Sequence, residues 1–208
     1  MKIAVIGATG KTGQRVTTEL LQRGHHVTAV VRNPSKVQNH KNLSVVTSDL
    51  SDAKQIAGAL EGADAVVSAY GAPADNTEQV ITVTRHITNA AKQNKQRLLV
   101  VGGAASLFIK PGVTVLAAGY VPEWGIPIAT AHNKVLEDLR RSDVDWTYFS
   151  PAAFFEPGER TGKFRLGKDD LIADASGKSH ISMEDYAIAT VDELEKPAHR
   201  RERFTIGY

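Results

Sequence analysis

Three glycines with the spacing of a phosphate-binding turn follow the first apolar run of the chain. Residues 3–6 form that run, which ends at Gly7, and Gly10 and Gly13 follow at intervals of three. A short continuous apolar run is typical of a strand buried on both faces, and glycines after it let backbone amides approach a pyrophosphate. The N-terminus of the next helix favours the phosphate charge. The pattern predicts a dinucleotide site contacted by Gly7, Thr9, Gly10, Lys11, Thr12 and Gly13.

Two other interpretations of this turn assign the glycines a different task. In the first, they serve only a tight turn and close helix packing. In the second, Gly10, Lys11 and Thr12 end the phosphate-binding loop of a nucleotide triphosphatase. That loop needs a glycine five residues before Gly10, where Val5 stands within the strand, so the sequence excludes it.

The residues after the second and third apolar runs bear on which dinucleotide binds. Arg32 follows the run 27–31 at the position where an NAD site has a carboxylate for the ribose 2'-hydroxyl, and Lys36 comes four residues later. A guanidinium pairs well with a 2'-phosphate, which favours NADP(H) over NAD(H). The alternative is that both cations are solvated loop charges. Asp49 and Leu50 would contact the adenine, although Asp49 serves equally well as a turn or helix cap.

Alternating strand and helix patterns place these turns at one edge of a sheet. Strands are predicted at 3–6, 27–31, 43–46, 63–67, 97–101, 145–149 and 204–206, and helices at 12–23, 76–92, 131–139 and 183–195. A further helix is predicted through Ile56, Ala57 and Leu60, with Asp49, Ser51 and Asp52 as candidate caps. This alternation predicts an α/β Rossmann fold, a doubly wound parallel sheet with a small C-terminal substrate lobe. We expect one domain over 1–208, with a variable lobe from about 105–128 and 152–182. A short helix near Leu107 and a hairpin around 175–178 are also predicted.

The composition narrows the class of protein. The chain has 42% apolar residues and no cysteine, which is typical of a globular cytoplasmic protein and excludes thiolate metal sites. Lys and Arg exceed Asp and Glu by 25 to 23, too small an excess to predict nucleic-acid binding. We expect no membrane span, because Pro111 and Gly112 interrupt the longest uncharged stretch. His25 and His26 lack the spacing of metal ligands, so no metal site is expected.

The chain resembles the atypical short-chain dehydrogenases/reductases. The resemblance rests on the glycine turn, Arg32, Asp49 and Leu50, with the runs 68–72 and 101–104 after the fourth and fifth predicted strands. Within that superfamily, the runs 150–165 and 181–187 are similar to the proposed NADH-flavin reductases, which are related to biliverdin reductase B and to NmrA-like NAD(P)-binding proteins. The resemblance implies further cofactor contacts from Ala69, Tyr70, Gly71, Gly102, Gly103, Lys134 and Pro151.

The resemblance also implies a catalytic pair, of which this chain has one member. Typical members carry a tyrosine acid four residues before a lysine that holds the nicotinamide ribose. Lys134 fits the lysine, but Thr130 stands in place of the tyrosine, and its hydroxyl is too weakly acidic to replace a phenol. His132 and Ser106 are the remaining candidates for a proton donor. The alternative is that Lys134 and His132 are exposed helix residues.

These residues lead to one expected function and two alternatives. We expect an NADP(H)-dependent reductase that passes hydride to a small flat conjugated acceptor, such as free flavin or a quinone. Such an acceptor takes its proton from water, so it tolerates the loss of the tyrosine. The first alternative is a non-catalytic NADP(H)-binding redox sensor. The second is an epimerase or isomerase, which usually needs the tyrosine and a larger substrate domain.

Overall fold

The computed structural model describes residues 1–37 and 39–208, and an eight-stranded sheet forms its centre. The strands are β1 (Lys2–Ile6), β2 (His26–Val31), β3 (Leu43–Thr47), β4 (Ala65–Ser68), β5 (Arg97–Val101), β6 (Phe108–Lys110), β7 (Val113–Thr114), β8 (Trp146–Ser150), β9 (Phe154–Glu156), β10 (Arg165–Gly167), β11 (His180–Ser182) and β12 (Glu202–Gly207). The α-helices are α1 (Lys11–Gln22), α2 (Ala53–Ala59), α3 (Gln79–Gln93), α4 (Ile126–Arg140) and α5 (Met183–Glu195), and the 3-10 helices are Pro34–Lys36 and Glu123–Gly125. None of the helices in the described ranges is long and apolar enough to cross a membrane.

The strand order confirms the doubly wound α/β prediction. From edge to edge it is β10, β12, β8, β5, β4, β1, β2, β3. Neighbouring strands are parallel except for the edge strand β10, which runs antiparallel to β12. The chain builds outward from β1 to β3, then returns to β4 on the other side of β1. Crossovers therefore diverge between β1 and β4, and a crevice opens at the carboxyl ends of these two strands.

Alternate residues of the central strands serve two separate cores. In β1, Ala4 and Ile6 pack with α2, α3 and α4, whereas Ile3 and Val5 pack with α1 and α5. Side chains of successive strand residues point to opposite faces, so a strand covered on both sides must be apolar throughout. This is the physical reason that 3–6 reads as an uninterrupted apolar run.

Helix α1 ends where the sequence predicts. Gly24 has a φ of +80°, a conformation that a side chain would strain. The amide of Gly24 donates to the carbonyl of Leu21, and that of His25 donates to Leu20. These bonds satisfy the last carbonyls of the helix and turn the chain into β2.

Two local predictions are wrong. Near Leu107 the chain forms the antiparallel hairpin of β6 and β7 instead of a helix, because the amide of Phe108 pairs with the carbonyl of Asp169 from the distant lobe. Around 175–178 a turn is present, with the Asp174 carboxylate accepting from the amides of Ser176 and Lys178. Its flanks do not form a hairpin, because β11 pairs in parallel with β9 and buries Ile181.

The segment 158–162 of the lobe is fastened to the face of the sheet that α1 and α5 cover. The buried carboxylate of Asp185 accepts from the amides of Thr161 and Gly162, both at 2.8 Å. Glu184 accepts from the amide of Gly158 at 2.7 Å, and Arg160 pairs with Glu19 of α1 at 2.9 Å. Burial opposes ionisation of Asp185, but its hydrogen bonds outweigh that effect and hold its pKa below the usual value. The segment is therefore fixed by charge-assisted bonds.

Candidate functional site

A cleft of about 380 Å³ lies at the carboxyl ends of the central strands. It is lined by Gly7, Thr9, Gly10, Lys11, Thr12, Val30, Val31, Arg32, Leu50, Ala69, Tyr70, Gly71, Val101, Gly102 and His132. Most of the residues singled out in the sequence thus lie together, at the place where doubly wound sheets bind ligands. Val30, Val31 and Val101 also line the cleft, although no role in the site was predicted for them from the sequence. Their signal was their position as the last apolar residues of β2 and β5.

The three glycines of the first turn have different structural roles. Gly7 has a φ of +77°, and a Cβ there would lie 2.5 Å from the carbonyl oxygen of Ala69. A Cβ on Gly13 would overlap the carbonyl of Gly7, so Gly13 brings α1 close to the turn and lies outside the cleft lining. Gly10 has an ordinary φ of −76° and borders the cleft. Backbone strain therefore requires glycine at Gly7, whereas a Cβ on Gly10 would lie 3.3 Å from the carbonyl oxygen of Gly7, a tight contact.

The N-terminus of α1 offers unpaired amides to the cleft. The first bond within the helix runs from the amide of Gln14 to the carbonyl of Gly10, which leaves the amides of Lys11, Thr12 and Gly13 without a helical partner. In the described ranges no side chain caps this end and its first turn has no acidic residue. Amides and the helix dipole together favour an anion at this point. A pyrophosphate fits the turn.

Arg32 defines one end of the cleft. It lies after the carboxyl end of β2, beside the buried Leu50, and none of the cleft-lining residues that the structure describes is acidic. Asp49 lies outside the lining. Its Oδ1 accepts from the amide and hydroxyl of Ser51, both at 2.9 Å, and these bonds lower the pKa of the carboxyl. The structure thus supports the turn interpretation of Asp49. Lys36 lines a separate cavity beside α1.

Tyr70 forms the wall of the cleft beyond β4. Its hydroxyl donates to the Gln79 side chain at 2.9 Å, at the start of α3. Burial raises the pKa of Tyr70, and nearby Arg32 opposes this effect only in part. The phenol is therefore neutral at physiological pH and fixed in place.

The other end of the cleft lies at Gly102 and His132. A Cβ on Gly102 would overlap the ring of Tyr148, so only glycine fits over that tyrosine. The Tyr148 hydroxyl accepts from the amide of Gly103 at 3.0 Å and donates to the carbonyl of His132 at 3.3 Å. Tyr148 is a positioning residue that sequence analysis missed, because its role depends on contacts between β5, β8 and α4.

His132 presents a neutral imidazole to the cleft. Burial lowers its pKa to about 4, and Nδ1 has no hydrogen-bond partner among the described residues. At neutral pH the ring carries no proton to give up as a cation. This weakens the expectation that His132 is a general acid.

Four other residues from the sequence analysis lie outside the cleft lining. The ammonium of Lys134 lies 3.4 Å from carboxylate oxygens of both Glu137 and Asp138, along the helix surface. Ser106 accepts from the guanidinium of Arg203 at 3.1 Å. The remaining two are Gly103 and Pro151. Catalytic roles for Lys134 and Ser106 stay predictions, as does cofactor contact by Lys134, Gly103 and Pro151.

The fold and the cleft define a nicotinamide-dinucleotide-binding protein of the α/β class. Residues 7–197 match the family of NAD(P)H-binding proteins, and the chain belongs to this family. This confirms the resemblance and the nicotinamide cofactor expected from the sequence.

Proteins from several bacteria are similar along the whole chain. YwnB of Bacillus subtilis (strain 168) is 43% identical over 211 aligned positions, which cover 99% of this chain and 98% of YwnB. The crystal structure of a proposed epimerase from Bacteroides thetaiotaomicron has 46% identity and a TM-score of 0.94, covering 100% of this chain and 96% of the other. That of a proposed NADH-flavin reductase from Streptococcus pneumoniae has 36% identity and a TM-score of 0.90, covering 100% and 99%.

Proposed function

We propose that this protein is an NADP(H)-dependent reductase that transfers hydride to a flat conjugated acceptor, such as free flavin or a quinone. The observation that carries the proposal is the cleft with Arg32 at one end, no acidic residue among its described lining, and Gly102 and His132 at the other end. The similarity to a proposed NADH-flavin reductase supports the choice of acceptor.

Different residues of the cleft bind different parts of the dinucleotide. Arg32 pairs with the 2'-phosphate, and the amides at the start of α1 hold the pyrophosphate. Leu50 packs against the adenine. Val101 and Gly102 leave room for the nicotinamide at the end of β5. When bound there, NADPH supplies a hydride from its nicotinamide ring.

The chain provides orientation and takes little part in proton transfer. His132 is neutral with a pKa of about 4, and the hydroxyl of Tyr148 is buried between Gly103 and His132. A ketone needs a strong acid close to its oxygen. A flavin or quinone spreads the charge of the added hydride over its ring and takes the accompanying proton from water. The cleft therefore suits an acceptor that does not need a protein acid.

Consumption of NADPH tests the proposal directly. We expect oxidation when FMN or a benzoquinone is added and none with a simple ketone. The matched control is Gly10→Val, which fills the space at the turn while keeping an ordinary backbone conformation, and which should lose both binding and turnover. Efficient ketone reduction would overturn the assigned acceptor. Tight NADPH binding with no turnover by any acceptor would instead establish the sensor function.

A further inference from the structure

Two large aromatic side chains are exposed on one short segment, residues 115–125, here called the rim loop. Tyr120 is 70% exposed and Trp124 is 83% exposed. An aromatic side chain of this size contributes most to affinity when its face is covered by a ligand or partner. The rim loop therefore presents two aromatic faces that a ligand can contact, and the position of the loop limits which ligand this is.

The rim loop is anchored beside the Gly102 and His132 end of the cleft. The amide of Val115 donates to the carbonyl of Leu107 at 2.9 Å, and that of Leu116 donates to Ala105 at 3.0 Å. Ala105 stands two residues after Gly103, and a Cβ on Gly103 would lie 3.6 Å from the Cβ of His132. The chain thus leaves the sheet at the end of β5, forms the rim loop, and returns through α4 to the cleft.

The opposite end of the cleft is far from the rim loop. Arg32 follows β2, and the strands β4 and β1 lie between β2 and β5. At roughly 4.8 Å per strand, the two ends are about 14 Å apart. Trp124 lies in the 3-10 helix just before α4, and α4 rises on the order of 9 Å from Ile126 to His132. The rim loop therefore starts and ends near the Gly102 and His132 end of the cleft, which is the end assigned to the acceptor.

Two prolines and a turn hydrogen bond restrict the backbone around Trp124. Pro122 caps the 3-10 helix Glu123–Gly125, whose amide at Gly125 donates to the Pro122 carbonyl at 2.8 Å. Pro127 occupies the first turn of α4. Prolines on both sides limit the conformations of this backbone in advance, so covering Trp124 orders few further torsions.

We propose that Trp124, with Tyr120 beside it on the rim loop, is the stacking surface for a fused-ring flavin acceptor. This rests on the proposed function and names the substrate within it. The indole covers one face of the isoalloxazine ring, and aromatic stacking of this kind contributes about 0.5 to 1.5 kcal/mol beyond area burial. Loss of the indole should therefore weaken flavin binding by about 2- to 12-fold.

Binding of oxidised FMN to the protein saturated with NADP⁺ tests the proposal without turnover. The Kd is measured by ultrafiltration, alongside the KM for FMN in the NADPH reaction. Trp124→Ala should raise both by 2- to 12-fold and leave the Kd for NADPH unchanged, whereas Trp124→Phe should retain most of the affinity. The control is Val45→Ala, which removes a 42% exposed side chain on β3 at the far edge of the sheet.

Quenching of flavin fluorescence gives a second readout. The chain has two tryptophans, and Trp146 is only 3% exposed, so stacking of FMN on an indole must involve Trp124. The quenching should weaken in Trp124→Ala, where only tyrosines such as Tyr120 and Tyr70 remain to quench the flavin. Unchanged FMN Kd and KM in that variant would overturn the proposal, as would a wild-type protein that fails to bind FMN. A Trp124→Ala variant that changes only the oligomeric state would assign the surface to a second copy of the chain.

The outcomes separate this proposal from the proposed function. Quinone reduction without FMN binding would leave the reductase standing and remove the stacking surface. FMN binding that depends on Trp124 without any reduction would keep the stacking surface and remove the reductase.

Discussion

Gly13 of α1 lies directly against the carbonyl of Gly7, with no space between them for even a methyl group. The contact joins the first turn of α1 to the end of β1, whose neighbour β4 crowds Gly7 from the other side through Ala69. The shape of the cofactor turn is therefore a consequence of packing within the protein.

Gly13→Ala should lower the free energy of unfolding by about 1 to 3 kcal/mol, since the new methyl group must displace backbone instead of a flexible side chain. Urea unfolding followed by circular dichroism measures the change. The control is Gly58→Ala in α2, where nothing lies within 4 Å of the new Cβ and alanine favours the helix. A Gly13→Ala protein as stable as the wild type would show that the turn relaxes without cost.

Arg32→Ala should remove most of a preference for NADPH over NADH. Arg32 is the one charged residue of the described cleft lining at the β2 end. A charge-assisted bond to a phosphate contributes roughly 1.5 to 3 kcal/mol. The preference should therefore fall by about ten- to a hundredfold in calorimetric titrations. Lys36→Ala is the matched control, because that lysine lines a separate cavity. Equal loss in both variants would contradict the assignment of Arg32.

The free energy of unfolding should decrease as the pH is lowered from about 6.5 to 4, and His132 is the cause. Its pKa is about 4 in the folded protein and near 6.5 when unfolded, so below pH 6.5 the unfolded chain binds a proton that the folded ring does not. Stability is complete above that pH and declines towards pH 4, by up to about 3 kcal/mol. Carboxylates with lowered pKa values, such as Asp185, add a further loss of stability that begins only below about pH 5.

In urea titrations, His132→Asn should make the free energy of unfolding depend less on pH between 6.5 and 4.5. Substitution of the exposed His26 by Asn should leave this pH dependence unchanged. An unchanged pH dependence in His132→Asn would mean that the imidazole takes up its proton in the folded state as readily as in the unfolded one.

Lys134→Met should change the Kd for NADPH by less than about twofold. The ammonium lies 3.4 Å from carboxylate oxygens of Glu137 and Asp138, and Lys134 is not among the residues that line the cleft. Fluorescence titration of NADPH measures the affinity. A tenfold loss would place the lysine on the nicotinamide ribose, as the resemblance to the short-chain dehydrogenases implies.

Local sequence patterns predicted the elements that carry most of the cleft. Residues 3–6 and 27–31 are apolar throughout because both faces of β1 and β2 are covered, and Gly24 ends α1 through its own backbone conformation. These signals lie within a few residues, so one sequence is enough to interpret them.

Features that depend on distant contacts could not be predicted in this way. The hairpin of β6 and β7 is held by Asp169, and β11 pairs with β9 across a long loop. The choice of Gly102 depends on Tyr148 beneath it, and the low pKa of His132 depends on burial between separate elements. Each of these needs the tertiary arrangement before its cause is visible.

The fastening of segment 158–162 has a kinetic consequence. Glu184 and Asp185 hold the backbone of Gly158, Thr161 and Gly162 on the α1 and α5 side of the sheet. A segment secured by several buried and charge-assisted bonds does not swing across the strands as a lid. NADPH association should therefore be a single step, with a stopped-flow rate that rises in proportion to NADPH concentration and reaches no plateau.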